Sequence, residues 1–89
     1  MPLRKELPGL GPRSLAMLTA AGIKDRATLE KTGSVTAYLR VKRAGQPATL
    51  NLLWALEGAL THQHWQTVAR EERTRLLLAL DAAQQAILN

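Results

Sequence analysis

Gly22, Gly33 and Gly45 each close a segment rich in helix-favouring residues. This punctuation leaves little room for any fold but short packed helices. Pro12 suits a first helical position, where a missing N–H costs nothing, so a helix is expected from about Pro12 to Ala21, ended by Gly22. Ile23 then fits an apolar anchor after the turn, and Asp25 is a good N-cap for a short helix through about Lys31. Ser34 is expected to cap "VTAYLRVKRA", whose Val35, Tyr38, Leu39 and Lys42 stem share one face while Arg40 and Arg43 point elsewhere. Thr49 is the next expected cap, before "LNLLWALEGALTHQ". Leu50, Leu52, Leu53, Trp54, Leu56 and Leu60 make that segment apolar nearly all round, as in the buried centre of a bundle. A long final helix is predicted from roughly Val68 to Leu88. There Leu76, Leu77, Leu80, Ala83 and Ile87 follow the 3.6-residue period, with Arg70, Glu71, Arg73 and Asp81 largely on the other side. No segment alternates as a strand would. The fold class is all-α, a small bundle of about five helices in one domain, residues 1–89.

Composition agrees. The hydrophobic share of 46% comes from Leu and Ala, with no Phe, which favours helices over strands. A chain of 89 residues buries roughly 60–65% of its unfolded surface, so stability is marginal and a second chain could add to it. With no cysteine, disulfides, thiol chemistry and Cys-based zinc sites are excluded. No apolar run approaches the roughly 18 residues of a membrane span, and "MPLRKELPG" lacks the apolar core of a signal peptide. A cytoplasmic protein with no membrane association is expected.

The net charge of +5 is unevenly spread. Residues 1–43 carry nine Lys or Arg against three acids, giving +6, while residues 44–89 carry three against four, giving −1. Such asymmetry points either to an acidic partner, nucleic acid first, or to a solvated basic surface.

Catalysis has little to work with. His62 and His64 stand two apart, facing opposite sides of a helix, and no third ligand or HExxH pattern accompanies them, so a structural or surface role is expected. Trp65 is expected to anchor the end of one helix on the next. Neither a Gly-x-Ser-x-Gly elbow, nor a phosphate-binding Gly-x-x-x-x-Gly-Lys, nor a Gly-x-Gly-x-x-Gly is present. Glu57, inside the most apolar helix, needs a partner such as an arginine or the donors of a glycine turn, and a structural pair or a partly exposed edge is expected. No catalytic residue, metal or cofactor is assigned, and an enzyme is not expected.

What remains is "LPGLGPRSLAML", residues 7–18. Leu7 and Leu10 are expected to anchor the turn on the core, while the glycines supply backbone angles that a side chain would penalise. Gly11→Val is accordingly expected to damage folding. With "AAGI" after it, the stretch resembles the hairpin and second helix of the helix-hairpin-helix motif. The resemblance implies that the amides of Gly9, Leu10 and Gly11 contact a DNA phosphate and that Arg13 assists. Turn amides, a helix N-terminus and a guanidinium all favour an anion. Arg4 and Lys5 are near enough in sequence to join them. Similar turns also occur in sterile-alpha-motif-like domains that bind only protein.

A longer resemblance runs from about Glu6 to Ala83. Leu7 to Gly11, Gly22-Ile23, "AYLR" at 37–40, "NLLWALEGAL" at 51–60 and His64-Trp65 fall in the order of the C-terminal domain of the TfoX/Sxy competence-regulator family. The resemblance implies a part in activating genes for natural DNA uptake, alongside the cyclic-AMP receptor protein in some bacteria. Family regulators usually join this domain to an N-terminal one, and a stand-alone module is expected here. Only six residues precede Leu7, too few for a full first helix of the hairpin motif.

Two functions from different classes follow. The first is a regulatory module making weak, non-specific contact with DNA phosphates, in transcription or DNA-uptake control. The second is a protein-interaction module, forming a homodimer or docking on a transcription regulator, with the glycine turn purely structural. No base-reading side chains are evident on a defined recognition helix.

Overall fold

A computed structural model describes residues 10–88, apart from the side chains of Ile87 and Leu88. Leu7, Pro8 and the candidate residues Arg4, Lys5 and Gly9 lie outside the described residues, as does the core position expected of the Ile87 side chain. Six α-helices and no strand occur among the described residues: α1 (Pro12–Ala20), α2 (Arg26–Thr32), α3 (Ser34–Arg43), α4 (Leu50–Thr61), α5 (Trp65–Glu71) and α6 (Arg73–Leu88).

The all-α class is as expected, and the count differs by one helix. The long final helix is two, α5 and α6, bent at Glu72. Backbone bonding persists on both sides, Glu72 N–H to the Val68 carbonyl at 2.8 Å and Leu76 N–H to the Glu72 carbonyl at 3.0 Å. The physical reason is tertiary. α5 packs chiefly on α4 while α6 packs on α3, so the two halves serve different neighbours. α4 lies at the centre, with Leu53 and Leu56 fully buried and Trp54 almost so. Leu18, Ile23, Leu29, Val41, Val68 and Leu76 close around it.

Local chemistry explains most of the joints. Gly22, at φ +86°, ends α1, and Ile23 behind it is fully buried. A single residue, Gly33, joins α2 to α3 at φ +84°, ψ +158°, a region essentially closed to side chains. Gly33 thereby takes the cap position assigned above to Ser34. Ser34 instead starts the helix, is buried, and its hydroxyl donates to Glu57. Thr49 stands before α4 as expected, without a side-chain cap bond. At the other end of α2, Arg26 donates to the Ala59 carbonyl in the last turn of α4 at 3.0 Å, where helix carbonyls lack internal partners. Arg40, Lys42 and Arg43 occupy the last turn of α3, where the helix dipole favours cations.

Asp25 caps α2 as expected, accepting from the Thr28 amide at 2.7 Å. Interaction with Thr28, its hydroxyl first and its amide second, holds the carboxyl below the ordinary 3.8. A carboxyl depressed in the folded state adds stability above its unfolded pKa and loses it as pH falls through the folded value. Asp25→Ala is therefore expected to lower the melting temperature at neutral pH. The gap from the parent protein should close as pH falls below 3.8, which paired melts across a pH series would check.

Candidate functional site

The head of α1 carries the candidate anion contacts that are described. Gly11 takes the N-cap position and Pro12 opens the helix, so the first turn presents amides with no partner inside the helix. Arg13 is exposed in that turn, which holds no acidic residue. Among the described residues Arg13 forms no ion pair, unlike Arg26, which lies 2.7 Å from Glu30. Leu10 is 6% exposed and belongs to the core, so its side chain anchors the turn rather than facing a ligand.

Gly11 corrects one expectation. Its φ of −78° is ordinary extended backbone, and an added Cβ would meet nothing within 4 Å. Neither backbone angle nor space demands glycine at this position, so the structure gives no folding reason against a side chain there.

Arg13 also borders a groove of about 350 Å³. Met17, Leu52 and Ala55 supply apolar lining, with Pro47 and Trp65 beside them. α1 thus faces the first half of α4 and the start of α5 across this groove. Trp65, the expected anchor of one helix end on the next, is 37% exposed. Its backbone is what lies close: the Trp65 nitrogen stands 3.5 Å from where a Cβ on Gly58 would be. Val68, one turn on and fully buried, makes the apolar anchor of α5 instead. The His64 ring stacks beside Trp65, centroids 5.9 Å apart, and His64 Nδ1 accepts from the Gln66 amide at 3.1 Å as the N-cap of α5. Among the described residues no group of three or more His, Asp or Glu is placed to hold a metal ion.

Met17, Leu52 and Trp65 were not singled out as site residues in the sequence. Trp65 carried a usable signal, an indole beside two histidines in the polar link before α5; Leu52 read simply as core, and Met17 carried no signal of its own.

Glu57 has the arginine partner that its apolar surroundings required. Its Oε2 accepts from Arg75 Nη2 at 2.8 Å, and its Oε1 accepts from the Ser34 hydroxyl at 2.7 Å. Arg75 also donates through Nε to Glu72 at 2.8 Å. The two carboxylates, Glu72 first and then Glu57, raise the Arg75 pKa above its ordinary value. Both Glu57 oxygens are thus engaged in a tie among α3, α4 and α6, an arrangement suited to holding helices rather than to moving protons.

No described helix is long and apolar enough to cross a membrane. No solved structure gives a significant match to the chain. The chain is 34% identical over 77 residues to the DNA transformation protein TfoX of Haemophilus influenzae. That alignment covers 86% of this chain and 36% of the relative, so the chain spans about a third of that protein's length. The TfoX C-terminal domain family matches residues 3–80, nearly the whole chain. With an all-α fold among the described residues and with that match over residues 3–80, the chain belongs to the TfoX C-terminal domain family.

Proposed function

We propose that this domain is a non-catalytic regulatory module of DNA transformation that contacts nucleic-acid phosphates without reading sequence. The observation that carries the proposal is Arg13, exposed and without an ion pair among the described residues, in an acid-free first helical turn. A phosphate there would meet helix-end amides and a guanidinium together. The +6 balance of residues 1–43 adds a favourable field, and Arg4 and Lys5, if they lie beside the turn, would extend the contact. Kinship with a protein named for DNA transformation supports the setting.

One such contact with a few cations implies a Kd of roughly 10⁻⁴–10⁻⁶ M at physiological salt. Arg13→Ala is expected to weaken binding about equally on unrelated duplexes and to reduce the salt slope by about 1. Circular dichroism should stay unchanged, because the side chain is exposed. Titration of both proteins against random-sequence duplex over a salt series is the test. Unchanged binding in the variant, or no binding by the parent at low salt, would reject the proposal.

A second function has its own observation. Leu78, on α6, is 67% exposed, and Ala79, Ala82 and Ala86 of the same helix are exposed as well. That helix could supply a contact between copies or with a regulator, and such a module would remain if no nucleic acid bound.

A further inference from the structure

We infer that the groove beside α1 takes an unpaired nucleotide, its base stacked on Trp65 and its phosphate at Arg13, so that the domain prefers single-stranded DNA. This presupposes the phosphate contact proposed above and names the form of nucleic acid that the same site would take.

Three features of the groove converge on that occupant. Trp65 is 37% exposed, whereas the other tryptophan, Trp54, is 3% exposed and belongs to the core. A large ring left open at the edge of a groove offers a base an aromatic face, and such stacking needs no particular base. Each wall pairs an apolar with a polar side chain, Met17 with Ser14 on α1 and Leu52 with Asn51 on α4, so a base in the groove has contact for its flat faces and hydrogen-bonding groups for its edge. Among the described lining residues the single charge is Arg13, and no acid is present to repel a phosphate.

A duplex can use only part of this. Its phosphates reach Arg13, but its bases are stacked on one another and withheld from Trp65. An unpaired strand brings phosphate and base together. An acidic peptide would satisfy Arg13 as well but would bring no planar ring to the part of Trp65 that His64 leaves exposed.

The test uses the 89-residue protein and anisotropy of a labelled oligothymidylate of about fifteen nucleotides, beside a duplex of equal length. Single-strand affinity is expected to exceed duplex affinity. Trp65→Ala should lower single-strand affinity about tenfold and leave duplex affinity unchanged, while Trp65→Tyr restores most of it. Arg13→Ala should weaken both. Circular dichroism confirms that each variant is folded. Equal single-strand and duplex affinities that Trp65→Ala leaves unaltered would overturn this inference while the phosphate contact stands. Absence of binding to either form would remove both. A polyglutamate peptide competing as well as oligothymidylate would overturn the nucleotide in favour of an acidic protein segment.

Discussion

Replacing Gly58 with alanine is expected to lower the melting temperature by about 10 °C, although alanine is the better helix former by about 1 kcal/mol. Gly58 is buried in α4, and the chain leaving that helix folds back across it. A Cβ at position 58 would stand 2.5 Å from the Gln63 carbonyl oxygen and 3.5 Å from the Trp65 nitrogen. The obstacle is backbone, so no rotamer change relieves it. His62 turns the chain here in the left-handed region, at φ 59°, and the Gln63 amide bonds the Gly58 carbonyl at 2.9 Å. Relief must therefore open the joint between α4 and α5. Overpacking costs about 1–3 kcal/mol and sometimes more, and a backbone oxygen at 2.5 Å places this case at the upper end, about 3 kcal/mol; less about 1 kcal/mol gained in helix propensity, about 2 kcal/mol of net loss remains. For a domain of this size each kcal/mol is worth about 4–8 °C. Gly58→Val, with a larger group against the same carbonyl, is expected not to fold. Gly11→Ala is the control: with open space and an ordinary φ it should melt close to the parent protein, the lower chain entropy of alanine offsetting its weaker N-cap preference. Thermal melts followed by circular dichroism check all three. A Gly58→Ala protein melting with the parent would mean that the joint yields without cost.

Gly58 also shows what could be read from the sequence and what could not. A glycine inside an apolar helical run signals close backbone approach, but the approaching segment is set by the return of the chain rather than by neighbouring residues. Joints governed by local rules were legible: Gly22 after α1, Asp25 before α2, and the all-round apolar α4 as the centre. Ser34 obeyed a local preference for caps until a glycine in a region closed to side chains took the position first. The bend at Glu72 has no proline or glycine to announce it and follows from α5 and α6 packing on different helices. Arg13 was legible as a cation at a helix start. Its groove was not, because Met17, Leu52 and Trp65 meet only after α1, α4 and α5 are packed.

Removing the Glu57 side chain as Glu57→Ala is expected to cost about 2 kcal/mol, nearly all of it through Ser34. Ser34 is 6% exposed, and its hydroxyl donates to Glu57 at 2.7 Å, so loss of the acceptor leaves a buried donor with nothing to replace it. A bond to a charged acceptor is worth about 1.5–3 kcal/mol. The ion pair with Arg75 adds little, because the Arg75 side chain is 57% exposed against 13% for Glu57. Screening by water and salt holds such a pair to about 0.5 kcal/mol, and Arg75 keeps Glu72 in any case. Arg75→Ala alone should therefore cost less than about 1 kcal/mol. Ser34→Ala should cost less than Glu57→Ala, since it removes the buried donor and leaves Glu57 with Arg75. In a double-mutant cycle most of the Glu57→Ala loss should vanish once Ser34 is alanine, a coupling of about 1–2 kcal/mol. Glu57→Gln separates charge from hydrogen bonding, because the amide oxygen still accepts from Ser34 while the pairing charge is gone. It should retain most of the stability in urea melts at low and high salt. A Glu57→Gln protein as unstable as Glu57→Ala, rescued by neither salt nor Ser34→Ala, would transfer the role from the hydroxyl bond to the charge itself.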